Sequence, residues 1–375
     1  MTALADLTTF RIGGSPGALV DVSGPEELAA AVLEADSAGR RVLVLGGGSN
    51  LLVGDEPFDG VVIRETSGKI ETVHSSGCGG NSVQVAAGTN WDDFVEYCID
   101  AEWMGVEALS GIPGTVGAAP IQNIGAYGQE VAETLAAVRA LDRKTGRIAH
   151  LPLFDLHLGY RDSLLKRSLR DKEVGGGKVW GPTGRWVVLE VEFQLRNASL
   201  SSPIRYSELA RKLDVELGSR VPSPEVREAV LELRRSKGMV LDPKDHDTWS
   251  AGSFFTNPII REGSPAAESL PEEAPRFPVE KRSMVNSIRG NAPVIDGLVK
   301  TSAAWLIARA GFEKGFRVSP DAPASLSTKH VLALTNRGGA QARDIIELAR
   351  VVRDGVEDKF GIRLVPEPVL VDCSL

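Results

Sequence analysis

Residues that commonly mark a metal or disulfide protein are scarce in this chain of 375 residues. It has five histidines and three widely spaced cysteines, Cys78, Cys98 and Cys373. That spacing is typical of reduced thiols, so we expect neither a disulfide framework nor a metal site. The sequence also lacks an apolar run near 18 residues and a basic lead followed by an apolar block. We therefore expect no membrane insertion, no secretory signal and a cytoplasmic location.

An excess of positive charge is also missing. The 42 Lys and Arg residues against 50 Asp and Glu residues give a net charge of −8. Without a basic stripe to neutralise phosphates, we expect no nucleic-acid partner. The 42% hydrophobic and 25% charged residues are ordinary for a globular protein. At about 150 residues per domain, the length predicts two or three domains. These features leave an enzyme or a binding protein.

The first 200 residues are rich in glycine and strand patterns, and longer helical patterns follow them. A strand at 19–22, a helix from Pro25 to Gly39 and a strand at 41–45 form the first predicted unit. A second helix follows Asn90, and its apolar stripe includes Cys98, which predicts a buried thiol.

Later patterns predict further elements of both kinds. They are a hairpin at 138–151, a strand at 185–195, a helix from 223, a helix near 299–310, a strand at 331–334 and a helix ending at 360. Residues 263–293, rich in Pro, Ser and Glu, are predicted to form a surface excursion. Together the patterns predict an α+β body followed by a smaller α/β domain.

The first glycine-rich segment, LGGGSNLLV at 45–53, follows an apolar strand. Its candidate cofactor-binding residues are Gly46, Gly47, Gly48, Ser49 and Asn50. Without a Cβ, such backbone N–H groups can converge on a phosphate. A Rossmann loop would open a helix, whereas residues 51–54 are predicted to form a strand or turn. On this segment alone, a phosphate loop and a plain tight turn remain equal alternatives.

The second glycine-rich segment covers residues 111–128. Its candidate cofactor-binding residues are Gly111, Gly114, Thr115, Gly117, Ala118, Gln122, Asn123, Gly125, Ala126 and Tyr127. So much glycine and alanine favours backbone running flush against a flat ligand with polar edges, such as a flavin. A flexible linker is the alternative, but the isoleucines, the valine and the Gln-Asn pair argue against it.

Three shorter segments carry candidate reactive side chains. Arg161, between a glycine–tyrosine pair and Asp162, can present its planar fork to a carboxylate, although most arginines are solvated. Ser253, beside a glycine and two phenylalanines, would be a partly desolvated proton donor. Locally, however, a turn serine satisfied by backbone is favoured, and the absence of a G-x-S-x-G elbow disfavours an acyl-transfer hydrolase. Glu367 between two prolines predicts only the start of a surface strand.

Taken together, these segments resemble one family, the UDP-N-acetylenolpyruvoylglucosamine reductases of bacterial peptidoglycan precursor synthesis. The similarity runs from about residue 8 to 369, through LGGGSNLLV, GIPGTVGAAPIQNIGAYGQE, GYRDS, AGSFFTNP and the late PE. It implies an α+β protein with a two-lobed FAD-binding fold of the vanillyl-alcohol-oxidase or p-cresol methylhydroxylase type, then a smaller α/β substrate-binding domain. We expect lobes at 1–66 and 67–235 and the last domain at 236–375, with its final strand returning Glu367 to the active site.

The resemblance also implies a reaction. Arg161, Ser253 and Glu367 match the three catalytic positions, FAD is the non-covalently bound carrier, NADPH is the reductant, and UDP-N-acetylglucosamine enolpyruvate is the substrate. Hydride from the reduced flavin would reach the vinyl CH2 carbon. Arg161 and Glu367 would hold the carboxylate as charge develops, and Ser253 would protonate the adjacent carbon. The product would be UDP-N-acetylmuramate.

Looser matches concern the substrate. Residues 202–206 resemble a loop of the longer subclass that closes over the nucleotide, which assigns Tyr206, and Lys237 resembles a lysine that meets the phosphates. Tyr160 and Asn257 are further expected contacts, and we expect a monomer. Residues 245–249 make the segment before Ser253 longer than the family pattern. Two alternatives remain: a sugar-lactone or alcohol oxidase of the same fold, and a flavin or nucleotide-sugar module without catalysis.

Overall fold

The computed structural model describes residues 2–281 and 292–375. Its α-helices are α1 (Pro25–Ser37), α2 (Trp91–Asp100), α3 (Ala119–Gln122), α4 (Leu164–Arg167), α5 (Ser207–Leu213), α6 (Ser223–Ser236), α7 (Pro265–Glu268), α8 (Ala303–Arg309) and α9 (Ala342–Phe360). Short 3₁₀ helices lie at Leu4–Leu7, Glu107–Leu109, Val116–Ala118, Val131–Glu133, Leu153–Leu156 and His246–Thr248.

The strands of the first half are β1 (Pro16–Val22), β2 (Val42–Val44), β3 (Leu51–Val53), β4 (Phe58–Glu65), β5 (Ile70–Ser76), β6 (Gly80–Ala86), β7 (Trp103–Met104), β8 (Gly125–Ala126), β9 (Gln129–Glu130), β10 (Leu135–Asp142), β11 (Arg147–Pro152) and β12 (Trp186–Asn197). The later strands are β13 (Ile259–Arg261), β14 (Arg276–Glu280), β15 (Val294–Thr301), β16 (Ala324–Leu326), β17 (Leu334–Asn336) and β18 (Val369–Val371).

A parallel sheet in the order β1-β4-β2 forms the N-terminal part. Helix α1 buries Leu28 and Val32 between this sheet and Leu141 and Val187 of the neighbouring sheet. The predicted strand–helix–strand unit is confirmed, because the 3.6-residue spacing of its apolar side chains matches a helix covered on both sides.

A larger sheet, in the order β11-β10-β12-β6-β5, forms the second part, with β7 beside β12. Helix α2 packs on it through Phe94, whose ring centroid lies 4.7 Å from that of Phe193. The Asn90 side chain caps this helix by accepting hydrogen bonds from the N–H groups of Asp92 and Asp93. The predicted helix, hairpin and strand are confirmed, and Cys98 is fully buried as predicted.

The C-terminal part contains antiparallel sheets ordered β13-β15-β14 and β16-β17, and α8 and α9 share its core. The predicted helix near 299–310 is shorter, because residues 299–301 pair in β15 and Ser302 caps α8. The predicted strand at 331–334 begins only at Leu334.

The predicted surface excursion at 263–293 was only partly right, because most of its described residues are exposed or half-buried but some form regular structure and enter the core. It contains α7 and β14, and Leu270 and Val279 are buried in the core. Pro278 argued against a strand in the sequence, but β14 lies at the edge of its sheet, where proline is tolerated. Residues 282–291 of this segment lie outside the described residues.

The last strand does not stay with the C-terminal sheets. Strand β18 pairs in parallel with β3, and Val369 N–H donates a hydrogen bond of 3.0 Å to the Asn50 carbonyl oxygen. The residues just before β18 are therefore held beside the first glycine-rich segment.

No helix in the described part of the chain combines the length and apolarity needed to cross a bilayer. The same residues hold no cluster of three His, Cys, Asp or Glu side chains suited to a metal ion.

Arg143 connects α1 to the β10–β11 hairpin and to the loop before β12. Its guanidinium donates to both Asp36 carboxylate oxygens, at 2.6 and 2.9 Å, and to the Thr183 and Gly184 carbonyl oxygens. Its side chain is 4% exposed and that of Asp36 is 20% exposed. The pair is therefore largely shielded from water.

We expect Arg143→Ala to lower the free energy of unfolding by about 3 kcal/mol, because it leaves the Asp36 carboxylate in a shielded site without its partner. Arg64→Ala is the matched control, since Arg64 pairs with Asp21 in a more exposed site, and it should cost less than about 1 kcal/mol. Urea unfolding followed by circular dichroism measures both. Equal losses in the two variants would contradict the role assigned to Arg143.

Candidate active site

A large cavity extends between the two glycine-rich segments. Its wall includes residues from 43–51, 112–125, 182–188 and 248–253, together with Arg161, Arg234 and Glu367. The cavity therefore joins all three parts of the chain, and each of the predicted catalytic residues Arg161, Ser253 and Glu367 lines it.

The two glycine-rich segments touch backbone to backbone. A Cβ atom on Gly47 would lie 2.7 Å from Gly114 Cα, and one on Gly46 would lie 2.7 Å from Thr115 Oγ1. The Ser49 hydroxyl donates a hydrogen bond of 2.9 Å to the Pro113 carbonyl oxygen. These glycines allow the two segments to contact each other. The interpretation of the sequence explained the glycines only by ligand access and did not include this packing role.

Most of the predicted cofactor-binding residues line the cavity. They are Gly46, Gly47, Gly48, Ser49, Asn50, Gly114, Thr115, Gly117, Ala118, Gln122 and Gly125. Gly111, Asn123, Ala126 and Tyr127 lie off its wall. The Asn123 side chain is buried and donates to the Gly159 carbonyl oxygen at 2.8 Å, so it supports the turn that carries Arg161. Gly111 N–H donates to the Asp92 carboxylate at 2.6 Å, and Ala126 lies in the two-stranded β8–β9 ladder.

Arg161 adopts an unusual backbone conformation, with φ at +53°. A positive φ is uncommon outside glycine, and such residues cluster at functional sites. Its guanidinium donates to the carbonyl oxygens of Gly125, at 2.6 Å, and Asn123, at 3.2 Å, and its Nε lies 3.2 Å from Glu367 Oε1. These contacts orient the fork at the cavity wall.

Ser163, two residues later, anchors the same turn. Its hydroxyl accepts the N–H of Lys166 as the cap of α4 and donates a hydrogen bond of 2.8 Å to the Ile121 carbonyl oxygen. Because Ser163 is fully buried, it joins the Arg161 turn to the second glycine-rich segment.

Ser253 is held by buried neighbours. Phe254 and Phe255, which follow it, are at most 1% exposed, and Phe254 N–H donates to the Leu332 carbonyl oxygen at 2.7 Å. Among the described residues the Ser253 hydroxyl has no hydrogen-bond partner. The local alternative of a turn serine satisfied by backbone is therefore not what the structure shows.

Glu367 reaches the same wall from the end of the chain. Its N–H donates a hydrogen bond of 2.8 Å to the Phe254 carbonyl oxygen, and Pro366 bridges to Phe255. The side chain is 15% exposed. The interpretation of this segment alone, as the start of a surface strand, missed this position because the pairing partner lies more than 100 residues away.

Three donors at the wall have no hydrogen-bond partner within the described residues. Gln122 Nε2, Arg161 Nε and Arg234 Nε are buried without a hydrogen bond, although Arg161 Nε lies at ion-pair distance from Glu367. Burial lowers the pKa of Arg234 to about 10. Gln122 was predicted from its motif, whereas Arg234 was missed. The sequence signal that could have identified Arg234 is its position three residues before Lys237, at the C-terminal end of α6.

Tyr206 and Lys237 lie together with Tyr127, near the end of the second glycine-rich segment and off the cavity wall. The rings of Tyr127 and Tyr206 meet edge to face at 5.7 Å, and Lys237 Nζ lies 5.5 Å from the Tyr127 ring and 2.5 Å from a Glu208 carboxylate oxygen. Burial raises the pKa of Tyr127 to about 12 and also raises the pKa of Tyr206. Both phenols are therefore neutral hydrogen-bond donors at neutral pH.

Tyr160 and Asn257 are also brought together. The Tyr160 hydroxyl oxygen accepts a hydrogen bond of 3.4 Å from Asn257 N–H, and the Asn257 side-chain oxygen accepts the N–H of Ala303 at the start of α8. Lys300 Nζ lies 4.6 Å from the Tyr160 ring. Burial raises the pKa of Tyr160, so this phenol is neutral as well.

Comparisons with known proteins agree on one family. Residues 242–371 match the C-terminal domain of UDP-N-acetylenolpyruvoylglucosamine reductase, and residues 16–152 match an FAD binding domain. The reductase of Cutibacterium acnes is 52% identical, covering 99% of this chain and 90% of the relative. That of Saccharopolyspora erythraea is 50% identical, covering 100% of this chain and 96% of the relative.

A solved structure agrees with these sequence matches. The crystal structure of UDP-N-acetylenolpyruvylglucosamine reductase from Thermus caldophilus is 26% identical, with a TM-score of 0.59, over 99% of this chain and 97% of that one. The family resemblance and the expected α+β, FAD-binding fold are thus confirmed, and FAD is the cofactor. The chain belongs to the family of UDP-N-acetylenolpyruvoylglucosamine reductases.

Proposed function

We propose that this protein reduces the enolpyruvyl ether of UDP-N-acetylglucosamine enolpyruvate to UDP-N-acetylmuramate, with NADPH as reductant. The single observation that carries the proposal is the meeting of Arg161, Glu367 and Ser253 on the wall of one cavity. A cation for a carboxylate and a hydroxyl for a proton are the two functions that reduction of an enolpyruvyl carbon requires. We also propose the division into parts at 1–66, 67–235 and 236–375.

The cavity residues fit FAD. Backbone of both glycine-rich segments would hold it, and the unpartnered donors of Gln122 and Arg234 suit a ligand with polar or anionic edges. When bound, FAD would carry the hydride from NADPH to the vinyl carbon. The surrounding wall combines glycine backbone and apolar side chains with a few charged groups, as a flavin site requires.

Arg161 would bind the substrate carboxylate. As hydride adds to the vinyl carbon, charge moves into the carboxylate, and a fixed guanidinium stabilises that charge without reorganising. The Asn123 and Gly125 carbonyl oxygens and the Glu367 carboxylate hold the fork before substrate arrives. Glu367 therefore orients Arg161 at the wall.

Ser253 would give its hydroxyl proton to the carbon next to the one that receives hydride. A serine is a weak acid, so this transfer needs a strongly basic, carbanion-like acceptor. The buried phenylalanines after Ser253 and the hydrogen bond from Phe254 N–H fix the backbone that carries the hydroxyl at the wall. That fixed position supports the assignment.

Tyr206, Lys237, Tyr160 and Asn257 would hold the UDP part of the substrate. Neutral phenols can stack on a nucleotide or donate to it, and the Lys237 ammonium can pair with a diphosphate. Glu208 already pairs with Lys237, so a diphosphate would have to compete with that carboxylate.

The alternatives have less support. Oxidases of the same fold often attach FAD through His or Cys, and neither residue type is among the residues described as lining the cavity. A module without catalysis would be expected to lose Arg161, Ser253 or Glu367, and all three are present.

We expect FAD to be held without a covalent bond, because the cavity wall offers no described His or Cys to attach it. Acid precipitation of the purified protein should release the yellow colour into the supernatant. Colour that stays in the pellet would overturn this expectation.

We expect Ser253→Ala to leave flavin reduction by NADPH unchanged and to slow reoxidation by the enolpyruvyl substrate by about 10²–10⁴-fold, because only the second step needs the proton. Anaerobic stopped-flow spectroscopy separates the two steps. Ser37→Ala, which removes an exposed hydroxyl at the end of α1, is the control. Equal slowing of both steps, or of neither, would show that Ser253 is not the proton donor.

We expect Lys237→Ala to raise KM for the enolpyruvyl substrate, because losing a charge-assisted contact removes roughly 1.5–3 kcal/mol of binding. Uniform loss of binding raises KM and leaves the chemical step alone. Tyr206→Phe should raise KM less. Arg235→Ala removes the neighbouring, more exposed cation and should leave KM unchanged. If Lys237→Ala instead slows flavin reduction, the lysine serves NADPH and the assignment fails.

A further inference from the structure

Lys166 lies behind the Arg161–Glu367 pair. Its ammonium donates a hydrogen bond of 3.1 Å to the Arg161 carbonyl oxygen and lies 3.5 Å from the Glu367 carbonyl oxygen. The two carbonyl groups belong to parts of the chain about 200 residues apart. One side chain therefore contacts the backbone of both residues that form the ion pair.

The surroundings of this ammonium show that its partners are backbone carbonyl groups. Within the described residues Lys166 has no carboxylate partner at ion-pair distance. Lys166 also does not line the cavity, whereas its neighbours Leu165 and Leu169 do. Burying a cation away from any carboxylate partner is costly, and the two carbonyl contacts offset part of that cost.

We propose that Lys166 is a positioning residue that holds the backbones of Arg161 and Glu367 in register for reduction of the enolpyruvyl substrate. This inference rests on the function proposed above. Lys166 acts through those two residues and does not touch substrate or flavin.

The Arg161 backbone explains why such support is needed. With φ at +53°, Arg161 occupies a left-handed conformation that is unfavourable for a non-glycine residue. The hydrogen bond from Lys166 to the Arg161 carbonyl oxygen stabilises that conformation. Ser163 caps the short helix from which Lys166 extends, so the lysine itself starts from an anchored position.

Glu367 needs support for a different reason. It stands between two prolines, so its own N–H is the only backbone donor in residues 366–368, and that donor is used by the Phe254 carbonyl oxygen. The Lys166 ammonium lies 3.5 Å from the Glu367 carbonyl oxygen and also binds the Arg161 carbonyl oxygen. It is thus a link between the two partners in addition to the ion pair itself.

Charges around Lys166 agree with this position. Burial lowers its pKa most, Arg170 and Arg161 lower it further, and Glu367 and Asp162 raise it. The ammonium therefore sits where its charge is only partly compensated, so its hydrogen bonds to carbonyl oxygens carry more weight than they would in water.

The test compares Lys166→Met with the wild-type holoenzyme by anaerobic stopped-flow spectroscopy. Methionine keeps the length and apolar stem of the side chain but donates no hydrogen bond. Because a shift near 1 Å can cost about 10²-fold in rate, we expect reoxidation at saturating substrate to slow by roughly 10–100-fold. Flavin reduction by NADPH and the melting temperature should stay unchanged.

Two further variants separate positioning from general effects. Arg170→Met removes a nearby exposed cation without touching either carbonyl group, and it should behave as wild type. Lys166→Arg restores a donor and should recover part of the lost reoxidation rate. A merely structural lysine would instead slow both half-reactions and lower the melting temperature.

The outcomes distinguish this inference from the proposed function. If wild-type reduced flavin is not reoxidised by the enolpyruvyl substrate, the proposed function fails. If the wild type is reoxidised and Lys166→Met matches it, only the positioning role of Lys166 is overturned. Equal slowing of both half-reactions in Lys166→Met would also overturn that role.

Discussion

Direct contact between two backbones, at Gly47 and Gly114, is the constraint on which the cavity depends. A Cβ atom on Gly47 would lie within 2.7 Å of Gly114 Cα, so any larger residue would push the two segments apart. The first segment leads into β3, and the second follows α2. Contact between them therefore sets how the parallel sheet and the larger sheet meet, and with it the width of the cavity.

Two segments of the C-terminal part, one around Ser253 and one around Glu367, reach that space and pair with each other. Glu367 N–H binds the Phe254 carbonyl oxygen, so the glutamate and the residue after Ser253 share one short backbone pairing. Pairing of β18 with β3 then carries the same segment onto the first glycine-rich loop. Ser253 and Glu367, from distant positions in the chain, are thus held by main-chain hydrogen bonds, which vary less than side-chain contacts.

Local patterns predicted the elements whose apolar side chains recur regularly, such as α2 with Phe94 and Cys98. They failed where a strand carries a proline at a sheet edge, as in β14, since alternation is then hidden. The motifs and the family resemblance pointed to Arg161, Ser253 and Glu367. Neither pointed to Lys166 or Arg234, because a basic residue on a helix usually faces solvent, and the burial of these two depends on partners far along the chain.

The net charge of −8 did not reveal that cations gather at this site. Arg161 and Arg234 line the cavity and Lys166 lies behind it, although two carboxylates, Glu65 and Glu367, are also on the wall. Burial lowers the pKa of both Arg234 and Lys166, so the folded protein disfavours their charged forms and loses stability at neutral pH where they stay charged. An anionic ligand would reduce that loss. Binding of an anionic cofactor or substrate at the wall beside Arg234 should therefore stabilise the fold, because it adds negative charge next to a buried cation.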